Sequence, residues 1–269
     1  VFAGEAAAAR ARIPAGATVD ERSAPLVTPG LVDAHTHAAW VGSRHGEYAL
    51  RMAGADYEAI AQAGGGIAST MRAVRAATRD EIAAELGARL ERMVSLGVTT
   101  VEVKSGYGLD RQNEEKLLDA IGVAARAPLA PRVVATYLAL HALPPEAPDR
   151  AAYAARVAAE DLPALAAQRL FAFVDAYIDR SAFSVADAAP LFRKARELGL
   201  GVRAHVGQFA DVGGAELSAD VGAGSADHLE NLGDAGVDAL AAAGVRAGLL
   251  PVASFTLGQA APPIARLRS

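Results

Sequence analysis

Short runs of β-branched and aromatic residues recur along the chain, and each is followed by a longer segment whose apolar residues have helical spacing. The runs predict seven strands, at Leu31–His37, Thr99–Lys104, Arg132–Leu140, Phe171–Ile178, Val202–Val206, Ser225–Leu229 and Arg246–Leu250. The longer segments predict helices at Tyr57–Ala63, Ile67–Ala77, Asp80–Leu96, Gln112–Ala124, Ala151–Ala167, Val185–Leu198, Gly214–Val221, Asp234–Ala243 and Pro263–Arg268. Glycines after Leu96 and Leu198 are expected to end two of these helices.

Alternating strands and helices indicate an α/β protein with a parallel sheet, and at this length a (β/α)8 barrel is the commonest single-domain form. Such a barrel needs eight strands, so we expect the eighth to be missing from this sequence and the chain to be part of a longer protein. Residues 1–28 are interpreted as part of a small β-rich flanking domain. Residues 29–269 are interpreted as the barrel, incomplete at its C-terminal end.

Composition narrows the function classes. The chain has 269 residues, of which 52% are hydrophobic, and this content excludes disorder. The absence of cysteine excludes a disulfide scaffold and a cysteine-ligated metal. A net charge of −5 with scattered basic residues argues against nucleic acid as a partner. The sequence has neither a membrane-length apolar run nor a secretory signal, so a cytoplasmic location is expected.

The sharpest local motif is His35-Thr36-His37 at the end of the first predicted strand. Residues two apart on a strand point to the same side, which here is the mouth of the barrel. Neutral imidazoles placed together suit a divalent metal such as zinc or iron. The alternative is two histidines at a strand end by chance, with Asp33 solvated.

The remaining histidines favour the metal site. Five of the six in the chain fall at predicted strand ends, namely His35, His37, His141, His205 and His228. Only His45 lies elsewhere, in the loop after the first strand. Imidazoles converging on one rim predict a metal site with additional acid–base groups.

Several sequence blocks resemble the imidazolonepropionases, which are metal-dependent cyclic amidohydrolases of histidine breakdown within the amidohydrolase superfamily. These blocks are TPGLVDAHTH, VGSRHGEYALRMAGADYEAIAQAGGGIAST, GVTTVEVKSGYGL, HALPPE and GGAELSADVGAGSADHLE. The His-x-His motif is shared across the superfamily, whereas AGGGI, KSGYGL and HALPPE are particular to this family. The similarity runs from about Ile13 to the end of the chain.

The resemblance implies roles for individual residues. It makes His35, His37 and His205 ligands of one divalent metal, zinc or iron, and His228 the acid–base histidine. The positions that match substrate contacts in the family are Arg44, Tyr107, His141 and Gln208. The family's last metal ligand, an aspartate on the eighth strand, is expected beyond Ser269. A homodimer is also implied.

Three positions leave an alternative open. Arg44 could pair bidentately with the substrate's propanoate, or form a surface salt bridge with Glu47. Some family members have glutamate at the position of Gln208. Glutamine at this position can form hydrogen bonds but cannot act as a base. Lys104 is a candidate for the carboxylated lysine of two-metal relatives, but a structural ion pair with Glu102 is the favoured interpretation.

The predicted function is hydrolysis of the ring amide of 4-imidazolone-5-propanoate to N-formimino-L-glutamate by a metal-activated water. Another amidohydrolase, such as a heterocycle deaminase, would keep the histidines and use its loops differently. A truncated fragment that binds metal without turnover is the non-enzymatic alternative.

Overall fold

The computed structural model describes residues 4–20, 28–54 and 65–268. They contain a seven-stranded parallel sheet with the strands in chain order. The strands are β1 Leu31–Asp33, β2 Val98–Lys104, β3 Arg132–Leu140, β4 Phe173–Ile178, β5 Gly201–Val206, β6 Ser225–His228 and β7 Arg246–Gly248. In this part of the chain β1 and β7 are not paired with each other, so the sheet is open, as predicted.

Helices alternate with the strands, and the apolar core lies between the sheet and the helices that contact it. The helices are α1 Ala6–Arg10, α2 His45–Met52, α3 Ile67–Ala76, α4 Arg79–Ser95, α5 Arg111–Ala124, α6 Arg150–Arg156, α7 Leu162–Ala166, α8 Val185–Glu197, α9 Gly214–Asp220, α10 Asp234–Ala243, α11 Pro251–Leu257 and α12 Ile264–Leu267. A π-helical segment, Val157–Asp161, joins α6 to α7. No helix of the described residues is long and apolar enough to cross a membrane.

Local sequence signals explain where these helices begin and end. Thr78 and Glu81 form a capping box at the start of α4, and Ser184 does the same with Asp187 at the start of α8. The expected glycine stops are confirmed, since Gly97 and Gly199 adopt positive φ of 92° and 75° after α4 and α8.

The two faces of the sheet differ in chemistry because successive side chains alternate. The face toward the helices is apolar and carries Val101, Val103, Val174, Ala176, Ile178, Val202, Ala204, Val206 and Ala226, all buried in the core. The same strands turn charged or ionisable side chains to the inner face, and all of them are buried except Arg203, which is partly buried. These are Glu102, Lys104, Asp175, Arg203, His205 and Asp227. The inner face therefore holds the site.

The first predicted strand is too long. Regular pairing with β2 ends at Asp33, after a register irregularity between Leu31 and Val32. Beyond it the ladder is partly replaced by side chains, because the Thr36 amide donates to a Glu102 carboxylate oxygen at 3.1 Å. The last strand also stops early, at Gly248, because Pro251 begins the unpredicted helix α11.

Other corrections concern the helices. His45 begins helix α2 and does not lie in a loop. The helix expected at Ala151–Ala167 is confirmed as one helical stretch over residues 150–166, with a π-helical segment in its middle. In the N-terminal region, residues 4–20 contain the unpredicted helix α1 and no strand. The predicted helix Tyr57–Ala63 lies outside the described residues. The division at residue 28 stays a prediction.

Candidate active site

The His35-Thr36-His37 segment is held on the sheet by its middle residue. The Thr36 hydroxyl donates to the Glu102 carbonyl at 2.6 Å, and the Lys104 amide donates to the Thr36 carbonyl at 3.1 Å. With Thr36 directed at β2, the two imidazoles on either side project to the inner face, and their ring centroids are 5.3 Å apart. The local fold therefore places this pair on one face of the sheet, as predicted from the two-residue period of a strand.

The five histidines predicted at strand ends converge. The ring of His205, on β5, lies 4.6 Å from that of His35 and 5.4 Å from that of His228. His141, directly after β3, lies 5.1 Å from His37. The Nε2 atoms of His37 and His205 approach to 3.1 Å. One cluster therefore contains all five.

Two of these imidazoles are fixed by buried aspartates. His35 Nδ1 donates to Asp227 Oδ2 at 2.8 Å, and His205 Nδ1 donates to Asp175 Oδ1 at 3.0 Å. The nitrogen must be the donor because an ionised carboxylate only accepts. Each Nε2 then carries a lone pair, and that of His35 has no partner among the described residues.

Two cations lie behind the aspartates, of which Lys104 is fully buried and Arg203 partly buried. Lys104 Nζ donates to Asp175 at 2.8 Å and to Glu102 at 2.9 Å, and Arg203 donates to Asp227 at 3.0 Å. Burial opposes ionisation, yet Asp175 and Glu102 raise the pKa of Lys104 above its ordinary value. The interpretation of Lys104 as an ion-pair residue is confirmed. These two carboxylates favour a positively charged ammonium group on Lys104. They would repel a carboxylated lysine, which is negatively charged.

Burial favours the neutral form of four of these histidines. Desolvation lowers the pKa of His141 to about 4 and that of His205 to about 3, and it places the pKa of His37 well below its ordinary value. The pKa of His35 is lowered by the same cause, despite Asp227. Neutral imidazole is the form that binds a metal ion.

All eight predicted site residues line a single cavity of about 250 Å³. They are His35, His37, Arg44, Tyr107, His141, His205, Gln208 and His228. Tyr177, Phe209, Ile67, Leu250 and Ala253 complete its wall. The cavity lies at the small end of the range for ligand pockets, which suits a small metabolite.

Arg44 satisfies parts of both interpretations left open by the sequence. It lines the cavity, and its Nε lies 3.8 Å from Glu47. That pair is loose, and the Arg44 side chain is 39% exposed. Such surface pairs contribute little, so Arg44 is available to an anionic ligand in the cavity.

Tyr107 belongs to a loop organised by one buried carboxylate. Glu114, on α5, accepts from the amides of Gly106 at 2.8 Å, Gly108 at 2.6 Å and Leu109 at 2.9 Å. The Gly106 carbonyl in turn accepts from His141 Nδ1 at 2.7 Å. Glu114 thus positions the loop against the cavity.

His228 has an unusual backbone. It and Leu229 adopt positive φ of 85° and 71°, in a region that non-glycine residues rarely occupy. Strain of this kind persists where the surrounding structure imposes it, often at functional sites. The side chain of His228 is held near Glu230, with Nδ1 and Oε2 3.7 Å apart, and Ser254 donates to Glu230 at 2.7 Å.

The cluster fits a divalent metal ion by its donor set. Ligand nitrogens of a tetrahedral zinc ion, at 2.0–2.1 Å from the metal, are about 3.3 Å apart, close to the His37–His205 separation. Possible ligand atoms of His35, His205 and His228 all lie within 4.8 Å of one another, so this compact trio contains His228 where the sequence predicted His37. The unpartnered Nε2 of His35 is a buried polar atom that a metal would satisfy.

Several residues of the site were not predicted from the sequence, among them the acids Asp175, Asp227 and Glu114. Asp175 and Asp227 carried a usable signal, because each falls on the inner-face phase of a strand that otherwise turns apolar residues outward. Glu114 carried none, since a glutamate in the first turn of a helix is ordinary.

Comparison with known proteins agrees with the sequence resemblance. An imidazolonepropionase from Polaromonas sp. (strain JS666) is 47% identical over 272 residues, covering 97% of this chain and 62% of that protein. An imidazolonepropionase from Pseudomonas putida is 49% identical over 261 residues, covering 96% and 64%. The chain is similar to the imidazolonepropionases. It spans between 58% and 65% of the length of these curated relatives. No family model matches the chain.

Solved structures share the fold. An adenosine deaminase from Xanthomonas campestris with bound zinc superposes with a TM-score of 0.57 at 18% identity, covering 89% of this chain and 53% of that one. A guanine deaminase from C. acetobutylicum gives a TM-score of 0.63 at 12% identity, covering 89% and 58%. At these identities the likeness concerns the fold alone.

Proposed function

We propose that the protein acts in histidine degradation by hydrolysing the ring amide of 4-imidazolone-5-propanoate to N-formimino-L-glutamate. The observation that carries the proposal is the convergence of all eight predicted site residues on one small cavity. The identity to imidazolonepropionases supports the choice of substrate, because 44–49% of aligned residues are shared.

In this proposal His35, His37 and His205 hold one divalent ion, zinc or iron, through neutral imidazole nitrogens. Such an ion supplies Lewis acidity and makes water nucleophilic near neutral pH. His228 exchanges the proton between the attacking water and the leaving ring nitrogen. Gln208 orients the ring or the water by hydrogen bonds, since its amide cannot accept a proton.

Substrate binding falls to Arg44, Tyr107 and His141, which line the same cavity. Arg44 pairs with the propanoate, whose negative charge and two oxygens match the guanidinium fork. Tyr107 and His141 contact the ring, and the hydrogen bond from His141 Nδ1 to Gly106 leaves its Nε2 facing the cavity as an acceptor. Holding the ring at both ends contributes orientation to catalysis.

The complete enzyme is proposed to be a closed (β/α)8 barrel with a small flanking domain, cytoplasmic and dimeric. Open edges support closure, because Leu31 and Val32 of β1 are 55% and 66% exposed although parallel strands are normally covered. An eighth strand would also supply a carboxylate ligand beside His35. These features rest on the family similarity.

The test is elemental analysis of the purified protein combined with a hydrolysis assay on 4-imidazolone-5-propanoate. One zinc or iron per chain together with formiminoglutamate production supports the proposal. Deamination of an uncharged heterocycle that persists in Arg44→Ala would support a different amidohydrolase. Stoichiometric metal with no turnover of either substrate would indicate a metal-binding fragment.

A further inference from the structure

The two aspartates behind the histidine cluster differ in how their oxygens are used. Asp175 divides its contacts, with Oδ1 on His205 at 3.0 Å and Oδ2 on Lys104 at 2.8 Å. Asp227 concentrates them, because its Oδ2 accepts both from His35 at 2.8 Å and from Arg203 at 3.0 Å. Its Oδ1 has no hydrogen bond within the described part of the chain.

This difference in contacts determines how replacing each carboxylate by an amide affects the tautomer of the neighbouring histidine. A carboxylate oxygen only accepts, so it forces the proton onto Nδ1 and leaves the Nε2 lone pair for a metal ion. An amide in the same place has one accepting and one donating end. Which end faces the imidazole then depends on the other neighbour of the side chain.

We propose that Asp175 is a positioning residue that sets the tautomer of His205 and thereby the affinity of the site for a divalent metal ion, whereas at position 227 an amide preserves the tautomer of His35. The statement about metal affinity rests on the metal site of the proposed function. The statement about tautomers stands on the hydrogen bonds alone.

In Asp175→Asn, Lys104 decides the orientation of the new amide. Its ammonium group has donors and no acceptor, so it requires the amide oxygen. The NH2 end then faces His205 and donates to Nδ1. The imidazole proton must move to Nε2, where it blocks the metal. The opposite orientation would press the NH2 group against a buried ammonium at about 2.8 Å, without an acceptor.

In Asp227→Asn the outcome differs because one oxygen serves both donors. The amide oxygen remains on His35 and Arg203, and the NH2 end takes the place of the unpartnered Oδ1 beside Gly248. This buries a donor without an acceptor, which lowers stability. It leaves the proton of His35 on Nδ1.

The experiment measures zinc affinity by competition with a chromophoric chelator for the wild type and the two variants, each stripped of metal beforehand. Asp175→Asn should weaken zinc binding about 10–100-fold, the usual effect of losing an outer-shell partner. Asp227→Asn should cost less than about fivefold, since only the charge assistance of its hydrogen bond is lost. Equal losses in the two variants would overturn the proposal.

A second measurement reports the tautomers directly. Imidazole nitrogen NMR of the metal-free proteins should show His205 protonated on Nδ1 in the wild type and on Nε2 in Asp175→Asn, with His35 unchanged in Asp227→Asn. An Nδ1-protonated His205 in Asp175→Asn would overturn the proposal. If the wild type bound no zinc, the proposed metal site would fail, and this measurement would still decide the role of Asp175.

Two further variants separate positioning from folding. Asp161→Asn is the matched control, because this buried acid is bonded to Arg156 on the outer helical layer, and it should leave zinc affinity unchanged. Lys104→Gln keeps the Asp175 carboxylate, so His205 should stay protonated on Nδ1. It also covers the case in which Asp175→Asn does not fold. A tautomer switch in Lys104→Gln would overturn the proposal.

Discussion

Replacing Glu114 by glutamine should destabilise the protein although it changes a single atom. The carboxylate accepts three backbone amides of the loop that follows β2, two on Oε1 and one on Oε2. The loop packs closely against its neighbours at two glycines. A Cβ at Gly108 would lie 2.5 Å from backbone atoms of α5, and one at Gly106 would lie 2.8 Å from Leu138.

The magnitude follows from the orientation of the new amide. Its oxygen is best placed on Gly108 and Leu109, which turns the NH2 group toward the Gly106 amide. Two buried donors then face each other, and the buried Ser105 hydroxyl beside Glu114 is placed to accept from the NH2 group. The Gly106 amide is left without an acceptor, and because one such buried donor costs about 1–3 kcal/mol, Glu114→Gln should lower the free energy of unfolding by about that amount. That is a large share of the ~5–15 kcal/mol typical of a folded protein.

Urea unfolding followed by the fluorescence of the single tryptophan, Trp40, measures this difference. Glu115→Gln is the matched control, because it makes the same chemical change at the next residue of α5, where the side chain is only partly buried. The control should lie within about 0.5 kcal/mol of the wild type. If Glu114→Gln unfolded like Glu115→Gln, the loop would not depend on the carboxylate and the reasoning would be refuted.

Three further outcomes are expected. His35→Ala and His205→Ala should each lose the bound metal, which elemental analysis measures, and a stoichiometric ion in either variant would remove that residue from the ligand set. Arg44→Ala should lower kcat/KM on imidazolonepropanoate at least about 30-fold, or about 2 kcal/mol, with little recovery in Arg44→Lys, whereas an unchanged value would place Arg44 outside the substrate site. Burial lowers the pKa of His141 in the folded protein to about 4. As pH falls below about 6.5, this imidazole therefore binds a proton in the unfolded chain but not in the folded one. The free energy of unfolding of the metal-free protein should therefore fall by about 2 kcal/mol more between pH 7 and pH 5 than that of metal-free His141→Gln. Urea unfolding at the two pH values measures this, and an equal fall in the two proteins would contradict it.

The strand pattern could be predicted from the sequence because parallel strands covered by helices are short apolar runs, and glycines mark where two of the preceding helices end. The errors lie where side chains replace backbone partners. The pattern Leu31–His37 looks like one strand, but Thr36 hydrogen-bonds through Glu102 and interrupts the ladder after Asp33. Helix α11 was missed because the run after Pro251 has no polar cap that would signal a helix start.

The histidines of the candidate site could be predicted from the sequence, but their hydrogen-bond partners could not. Spacing alone places His35 and His37 together, and strand ends collect the others. The pairing of His205 with Asp175 depends on the register of β4 against β5, in which Tyr177 lies beside His205 and Asp175 beside Arg203. Register is a property of two strands, and no single run of sequence reveals it.

The inner face of the sheet shows what the site requires of the fold. Barrel interiors are usually filled by layers of branched apolar side chains, but Lys104, Asp175, Arg203 and Asp227 occupy the inner face of this open sheet. Buried ion pairs are seldom more stable than apolar packing of the same volume, since each charge is removed from water. Removing one partner is costly, because it leaves a buried charge unpaired. The network is therefore better suited to fixing His35 and His205 in one orientation than to stabilising the fold. For this reason exchanges within it should alter metal binding and histidine tautomers in ways that changes on the helical face do not.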